Sequence, residues 1–219
     1  MRSLKNISLR GLKVFVPREI KPFLDDIPEQ YRPLCNMMLH TGIGLKECME
    51  LGYNIKPWFI PEELIIYYDP KRWDSSPRVK KRVVYLAPQD VRYIRAFVKF
   101  WKKYISKQLS KHKIYSKEKI YSTMMDAMSK MFKTRAAKYC DNPEILKPSS
   151  FLATRIAWLA VAYPEHIDII YESTRHDQLG ISKQDIVDFV NSSPFTDTEI
   201  KSIINRVNGW KVTQIHSEL

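Results

Sequence analysis

The 219-residue chain is 44% hydrophobic and carries five tryptophans and nine phenylalanines, enough to bury a real core, which excludes an intrinsically disordered polymer. Its 36 lysines and arginines against 24 acids leave a net charge of +12 and a pI near 9.5. That balance suits an anionic partner, nucleic acid above all, and equally a basic, well-solvated surface, because net charge acts as a field and not a site.

Helical spacing dominates the chain. Pro17 to Leu24 opens with proline at a first helical position, and after the Asp25-Asp26-Ile27-Pro28 break a second helix runs from Tyr31 to His40. A third starts near Gly44 and ends at Leu51, with Leu45, Cys48, Met49 and Leu51 inward. The period then changes. Leu64 to Tyr68 and Arg82 to Leu86 are β-branched and aromatic runs, read as two antiparallel strands joined by a long basic connection.

Helices return beyond Pro88, with Val91, Ile94, Phe97, Val98 and Trp101 on one face, followed by Ile120 to Met131, Phe151 to Val161, Ile167 to Tyr171 and Thr196 to Val207. Met124, Met125, Met128 and Met131 read as core packing. No Gly/Ser linker or fixed-period repeat appears, so the expectation is one mainly helical domain over 1–219 with a small antiparallel sheet, a short N-terminal arm (1–13) and a C-terminal tail (211–219).

Several chemistries lack their residues. Cys35, Cys48 and Cys140 are odd in number and widely spaced, so they read as reduced core thiols. Phosphate-binding glycine loops are absent, the five histidines have no metal-site spacing, and Asp25-Asp26 and Glu62-Glu63 read as turn and helix-start residues. No metal or cofactor is expected. No run approaches the roughly 20 apolar residues of a membrane span, so a cytoplasmic protein without a membrane partner is expected.

Thr41-Gly-Ile-Gly-Leu-Lys-Glu-Cys-Met-Glu-Leu51, the basic hairpin, Leu152-Ala-Thr154 and Pro194-Phe-Thr-Asp-Thr-Glu199 occur in the order of the signatures of the tyrosine recombinase (phage-type integrase) catalytic domain. The chain resembles that family, its archaeal members in particular, from about Val14 to Trp210. The resemblance implies a tyrosine that attacks a phosphodiester, two arginines that neutralise the phosphorane, and lysine and histidine groups that move protons. Here Gly44 stands at the first arginine position. Counting back from Leu152-Ala-Thr154 puts Leu146 at the box histidine and Ser149 at the second arginine, while Phe189 occupies the nucleophile position. Lys71 best matches the hairpin lysine, and His176, preceded by Arg175 where the family has glycine, matches a retained histidine.

The resemblance therefore implies double-stranded DNA as partner and strand cleavage lost, with no catalytic set intact and Lys71, His176, Phe189, Gly44 and Ser149 as its vestiges. Lys71, Arg72, Arg78, Lys80, Lys81, Arg82, Arg155 and Arg175 form the candidate DNA-binding set. Arg155 is common at its position in the family without facing the phosphate. The basic hairpin, which includes Trp73, also suits a solvated strand connection. The family's separate DNA-binding domain has no room before the first signature, so modest, salt-dependent binding is expected. A homo-oligomer or an active recombinase partner fits an origin in a mobile element or virus. Two rivals stay open: an active recombinase with displaced groups, such as Arg72 or Arg175 for charge and Tyr171 as nucleophile, and a structural or protein-interaction component.

Overall fold

The computed structural model describes residues 7–53, 55, 59–68, 82–111, 116–174, 179–192 and 194–210. It is mainly helical with two small antiparallel sheets. β1 (Ser8–Leu9) and β2 (Leu12–Lys13) form a hairpin turning at Arg10 and Gly11, both at positive φ. The N-terminal arm expected over 1–13 is thus partly a structural element: Lys13 is fully buried, its ammonium 3.1 Å from Glu19 Oε2. That carboxylate also accepts the Val16 N–H at 3.0 Å, at the entry to α1 (Pro17–Asp26).

α2 (Arg32–Thr41) ends at Gly42, whose φ of +67° reverses the chain in the left-handed region where glycine pays no Cβ penalty. α3 (Leu45–Tyr53) follows. A three-stranded sheet then forms from β3 (Phe59–Ile60), β4 (Ile65–Tyr68) and β5 (Arg82–Tyr85), with Ile66 opposite Val84 and Ile65 opposite Tyr85. The sequence pattern shows only β4 and β5, the central strand and one edge, because the two residues of β3 are too few to display a period. Leu64, expected in a strand, sits at φ +56° in the turn from β3, and Glu62-Glu63 lie in that same turn.

α4 (Asp90–Lys111) and α5 (Lys117–Tyr139) are long and amphipathic. α4 packs on α2 and α3 so closely that a Cβ on Gly52 would lie 2.4 Å from Trp101 Cδ1. On α5, Met124, Met128 and Met131 enter the core as expected, whereas Met125 is 40% exposed, one step off the inner stripe. Asp25 and Asp26, expected in the break after the first helix, are instead the last residues of α1, and Asp26 takes the Lys138 ammonium at 3.2 Å.

The centre of the molecule is α6 (Ser150–Ala162), buried continuously from Ser150 to Ala160. α2, α7 (Ile167–Ser173), α8 (Lys183–Asn191) and α9 (Asp197–Val207) pack around it together with the β1–β2 hairpin. Two hydrogen bonds tie that hairpin's exit to α6: Phe15 N–H donates to Thr154 Oγ1 at 3.0 Å, and Trp158 Nε1–H donates to the Phe15 carbonyl at 2.9 Å. α8 had no expected counterpart; Ser182 and Asp185 cap its start reciprocally. One contiguous core runs from Leu9 to Trp210, and Cys35, Cys48 and Cys140 are buried within it. Among the described residues no helix is long and apolar enough to cross a membrane.

Candidate functional site

The first signature is built by a helix end, a tight reversal and a helix start. Thr41 Oγ1 donates to the Met37 carbonyl at the end of α2 and accepts the Ile43 N–H at 3.2 Å, which folds the chain around Gly42. Gly44 precedes α3; its N–H donates to Glu47 Oε2 at 2.9 Å and its carbonyl accepts from Cys48 N–H. Glu47 is 1% exposed, so the signature's acid secures this start from inside.

Signatures distant in sequence meet at Gly42. A Cβ there would lie 3.3 Å from Arg155 Cγ, 3.5 Å from Leu152 Cδ1 and 3.7 Å from Thr174 Cγ2. Leu152 and Arg155 flank the Ala-Thr of the second signature, and Thr174 directly precedes the Arg175-His176 pair. Glycine is required twice over, by its φ and by the side chains that close on its α-carbon.

Arg155 is the point where the expected DNA-binding set needs correction. Its side chain is 2% exposed and its guanidinium donates to Asp90 Oδ2 at 2.7 Å, so it has no surface to offer a phosphate. Asp90, fully buried, is the hub. It accepts His40 Nδ1–H at 2.9 Å through Oδ1 and the Ala87 N–H at 2.8 Å through Oδ2, and His40 stacks on Tyr93 with ring centroids 3.7 Å apart. Burial pushes the Asp90 carboxyl up, but the Arg155 charge, the His40 hydrogen bond and the Ala87 amide outweigh it and hold it below the ordinary carboxylate range. Burial lowers the His40 pKa, with Asp90 opposing only in part, so the imidazole is neutral near pH 7. A carboxylate fed by three donors inside a core fixes the relative positions of α2, α4 and α6.

This triad was invisible in the sequence. His40, Asp90 and Arg155 lie 50 and 65 residues apart, and each has an unremarkable local context.

The positions that the sequence resemblance assigns to the reaction hold groups unable to perform it. Gly44 has no side chain. Ser149 stands at the N-terminal boundary of α6 with no side-chain cap bond, and Leu146 is buried at 3% exposure. Phe189 lies on α8 and packs edge-on against Phe195 at 5.9 Å, 7% exposed. Tyr171, the alternative nucleophile, is a partly buried residue of α7 packed against the core. Lys71, Arg72, Arg78, Lys80, Lys81, Arg175 and His176 lie outside the described residues, and of Arg82 the structure describes only its backbone, in β5. Among the described residues no three His, Cys, Asp or Glu side chains group so as to hold a metal ion.

No protein-family model, curated protein or solved structure gives a significant match to the chain.

Proposed function

We propose that this protein is a degenerate tyrosine-recombinase-like domain that binds double-stranded DNA without cutting it. The observation that carries the reading is the meeting at Gly42 of Leu152, Arg155 and Thr174, side chains from or beside three signatures spread over more than 130 residues. Signatures that build one site in the family have to lie together in the fold, and these positions do.

The loss of chemistry follows from the residues themselves. A phenyl ring at Phe189 has no oxygen to form a phosphotyrosine, and the charges that would stabilise a phosphorane are absent at Gly44 and Ser149. Binding then rests on phosphate neutralisation, for which the +12 net charge and the basic segment between β4 and β5 are suited. A role in occupying a recombination site, regulating an active relative or organising a mobile or viral genome fits such a domain.

The test is a nicked suicide duplex that traps covalent recombinase intermediates. A retained but wholly noncovalent complex is the expected result. A protein–DNA adduct stable to denaturant and lost in Tyr171→Phe would overturn the inactive reading in favour of displaced catalytic groups. An adduct-free protein that also fails to retain DNA would remove the DNA-binding reading itself.

A further inference from the structure

The two long helices differ in a way their lengths do not explain. α5 mixes signs on its exposed side, where Glu118 and Asp126 accompany Lys119, Lys130 and Lys133. α4 does not. After Asp90, buried at its first position, it contains no acid through Lys111, and its exposed positions are Arg92, Arg95, Lys99, Lys102, Lys103 and Lys107, separated by Ala96, Ser106, Leu109 and Ser110.

At about 100° per residue these six cations fall within an arc of about 140°, and at 1.5 Å per residue they extend over about 22 Å of helix. Arg95, Lys99, Lys102, Lys103 and Lys107 form no ion pair with an acid among the described residues.

Arg95–Lys99, Lys99–Lys103 and Lys103–Lys107 are like-charge pairs at i,i+4, and Arg92–Arg95 and Lys99–Lys102 at i,i+3, each unfavourable to the isolated helix. A face kept only for solubility is better served by interspersed signs, as α5 has. The opposite face of α4 buries Ile94, Phe97 and Trp101, which fixes the face that bears the cations outward. The stripe also starts beside the meeting point of the signatures: Arg92 lies over the Tyr93 ring at 4.6 Å, Tyr93 stacks on His40, and His40 binds Asp90, the partner of Arg155.

We infer that the exposed face of α4 is a docking surface for the phosphate backbone of duplex DNA. Apart from the adjacent Lys102 and Lys103, consecutive cations along the rod are about 4.5–6 Å apart in axial rise. A row of positive charges without base-reading amides suits sequence-independent contact to phosphates. This deepens the DNA-binding reading and rests on it for the choice of duplex. It adds residues that the signatures do not contain.

The experiment is fluorescence anisotropy with a random 30-bp duplex and a single-stranded RNA of equal length, each over a salt series. Four proteins are compared: the wild type, Lys99→Gln/Lys102→Gln/Lys103→Gln, a scattered control Lys133→Gln/Lys147→Gln/Lys201→Gln with the same charge change, and Lys71→Ala/Lys80→Ala/Lys81→Ala. Glutamine keeps helix propensity and all three α4 positions are exposed, so circular dichroism and thermal melting should be unchanged.

Each phosphate contact contributes about 0.9 to the slope of log K against log salt, hence up to about 0.9 decade at 0.1 M relative to 1 M. The α4 variant should therefore raise Kd for the duplex at least about tenfold at 0.1 M salt and flatten the slope by about 2 to 3. The scattered control should change little. Wild-type binding by an unaltered α4 variant, or an equal loss in the scattered control, overturns the α4 surface. If the 71/80/81 variant is then the weakened one, DNA binding itself still stands. Tighter binding of single-stranded RNA than of duplex overturns the choice of partner. No duplex binding by the wild type at low salt overturns both proposals.

Discussion

Replacing Arg155 by methionine isolates the part of the molecule that joins the signatures. The substitution keeps side-chain length and helix propensity while removing the guanidinium 2.7 Å from Asp90 Oδ2, leaving a fully buried carboxylate with only His40 and the Ala87 amide as donors. Breaking one side of a buried ion pair costs about 3–5 kcal/mol, because the remaining charge stays desolvated. With a urea m-value of about 3 kcal/mol per molar, the unfolding midpoint at pH 7.5 should fall by about 1–1.7 M.

Two further measurements separate this cause from lost packing. Asp90→Asn combined with Arg155→Met should cost clearly less than the two single changes added, since the orphaned charge is gone. The deficit of Arg155→Met should also shrink as pH falls. In the wild type the Asp90 pKa is held below its ordinary value, so its contribution is present above that value and is lost as pH falls through the folded pKa. Without Arg155 the folded pKa rises, and protonation relieves the variant at a higher pH. A midpoint shift under about 0.3 M, or additive single and double variants, would refute the ion pair as the organising contact.

Other outcomes follow from single contacts. Gly42→Ala should destabilise by about 1–2 kcal/mol from the left-handed φ alone, and more if Arg155 Cγ at 3.3 Å cannot give way, which chemical denaturation measures. The buried, neutral His40 has a lowered pKa, so the unfolded chain binds its proton first and stability should decline as pH drops below about 6.5. His40→Gln should flatten that decline between pH 7.5 and 5.5, and an unchanged pH profile would contradict the assignment. Burial pushes the Cys35 thiol far above its ordinary pKa, and Cys48 and Cys140 are equally enclosed. A chromogenic disulfide reagent should therefore label none of them in the native protein within minutes and all three in denaturant. Phe189→Tyr alone should not confer cleavage of a suicide duplex, because Gly44 and Ser149 still supply no positive charge.

Local patterns made much of the fold legible. Pro17, the Gly42 reversal and the apolar stripe of Ile94, Phe97 and Trp101 each announce a helix boundary or an inner face in a few consecutive residues. β3 and the β1–β2 hairpin were not legible, since two-residue strands owe their existence to pairing partners and not to their own period. α8 was hidden for another reason. Its capping pair Ser182 and Asp185 is a clear start signal, but the helix is only nine residues long and shares its C-terminal half with the segment around Phe189 that resembles a signature.

The site divides similarly. Signature order could be read from residue identity, whereas the His40–Asp90–Arg155 hub exists only after α2, α4 and α6 pack. Arginine is usually a surface cation, so residue identity alone gives no sign that Arg155 is taken into the core by Asp90, a buried acid 65 residues away. The α4 stripe is legible as 21 consecutive residues after Asp90 without an acid, whereas its exposure depends on which face of the helix the core covers.

The most direct test of the central claim is duplex-DNA affinity measured by anisotropy across a salt series, comparing the wild type with Lys71→Ala/Lys80→Ala/Lys81→Ala. Binding that weakens steeply with salt, and further in the variant with a shallower slope, is the result expected of a noncutting DNA-binding domain. A wild type that leaves the duplex unbound at low salt would contradict it and bring forward a protein partner for the basic surface.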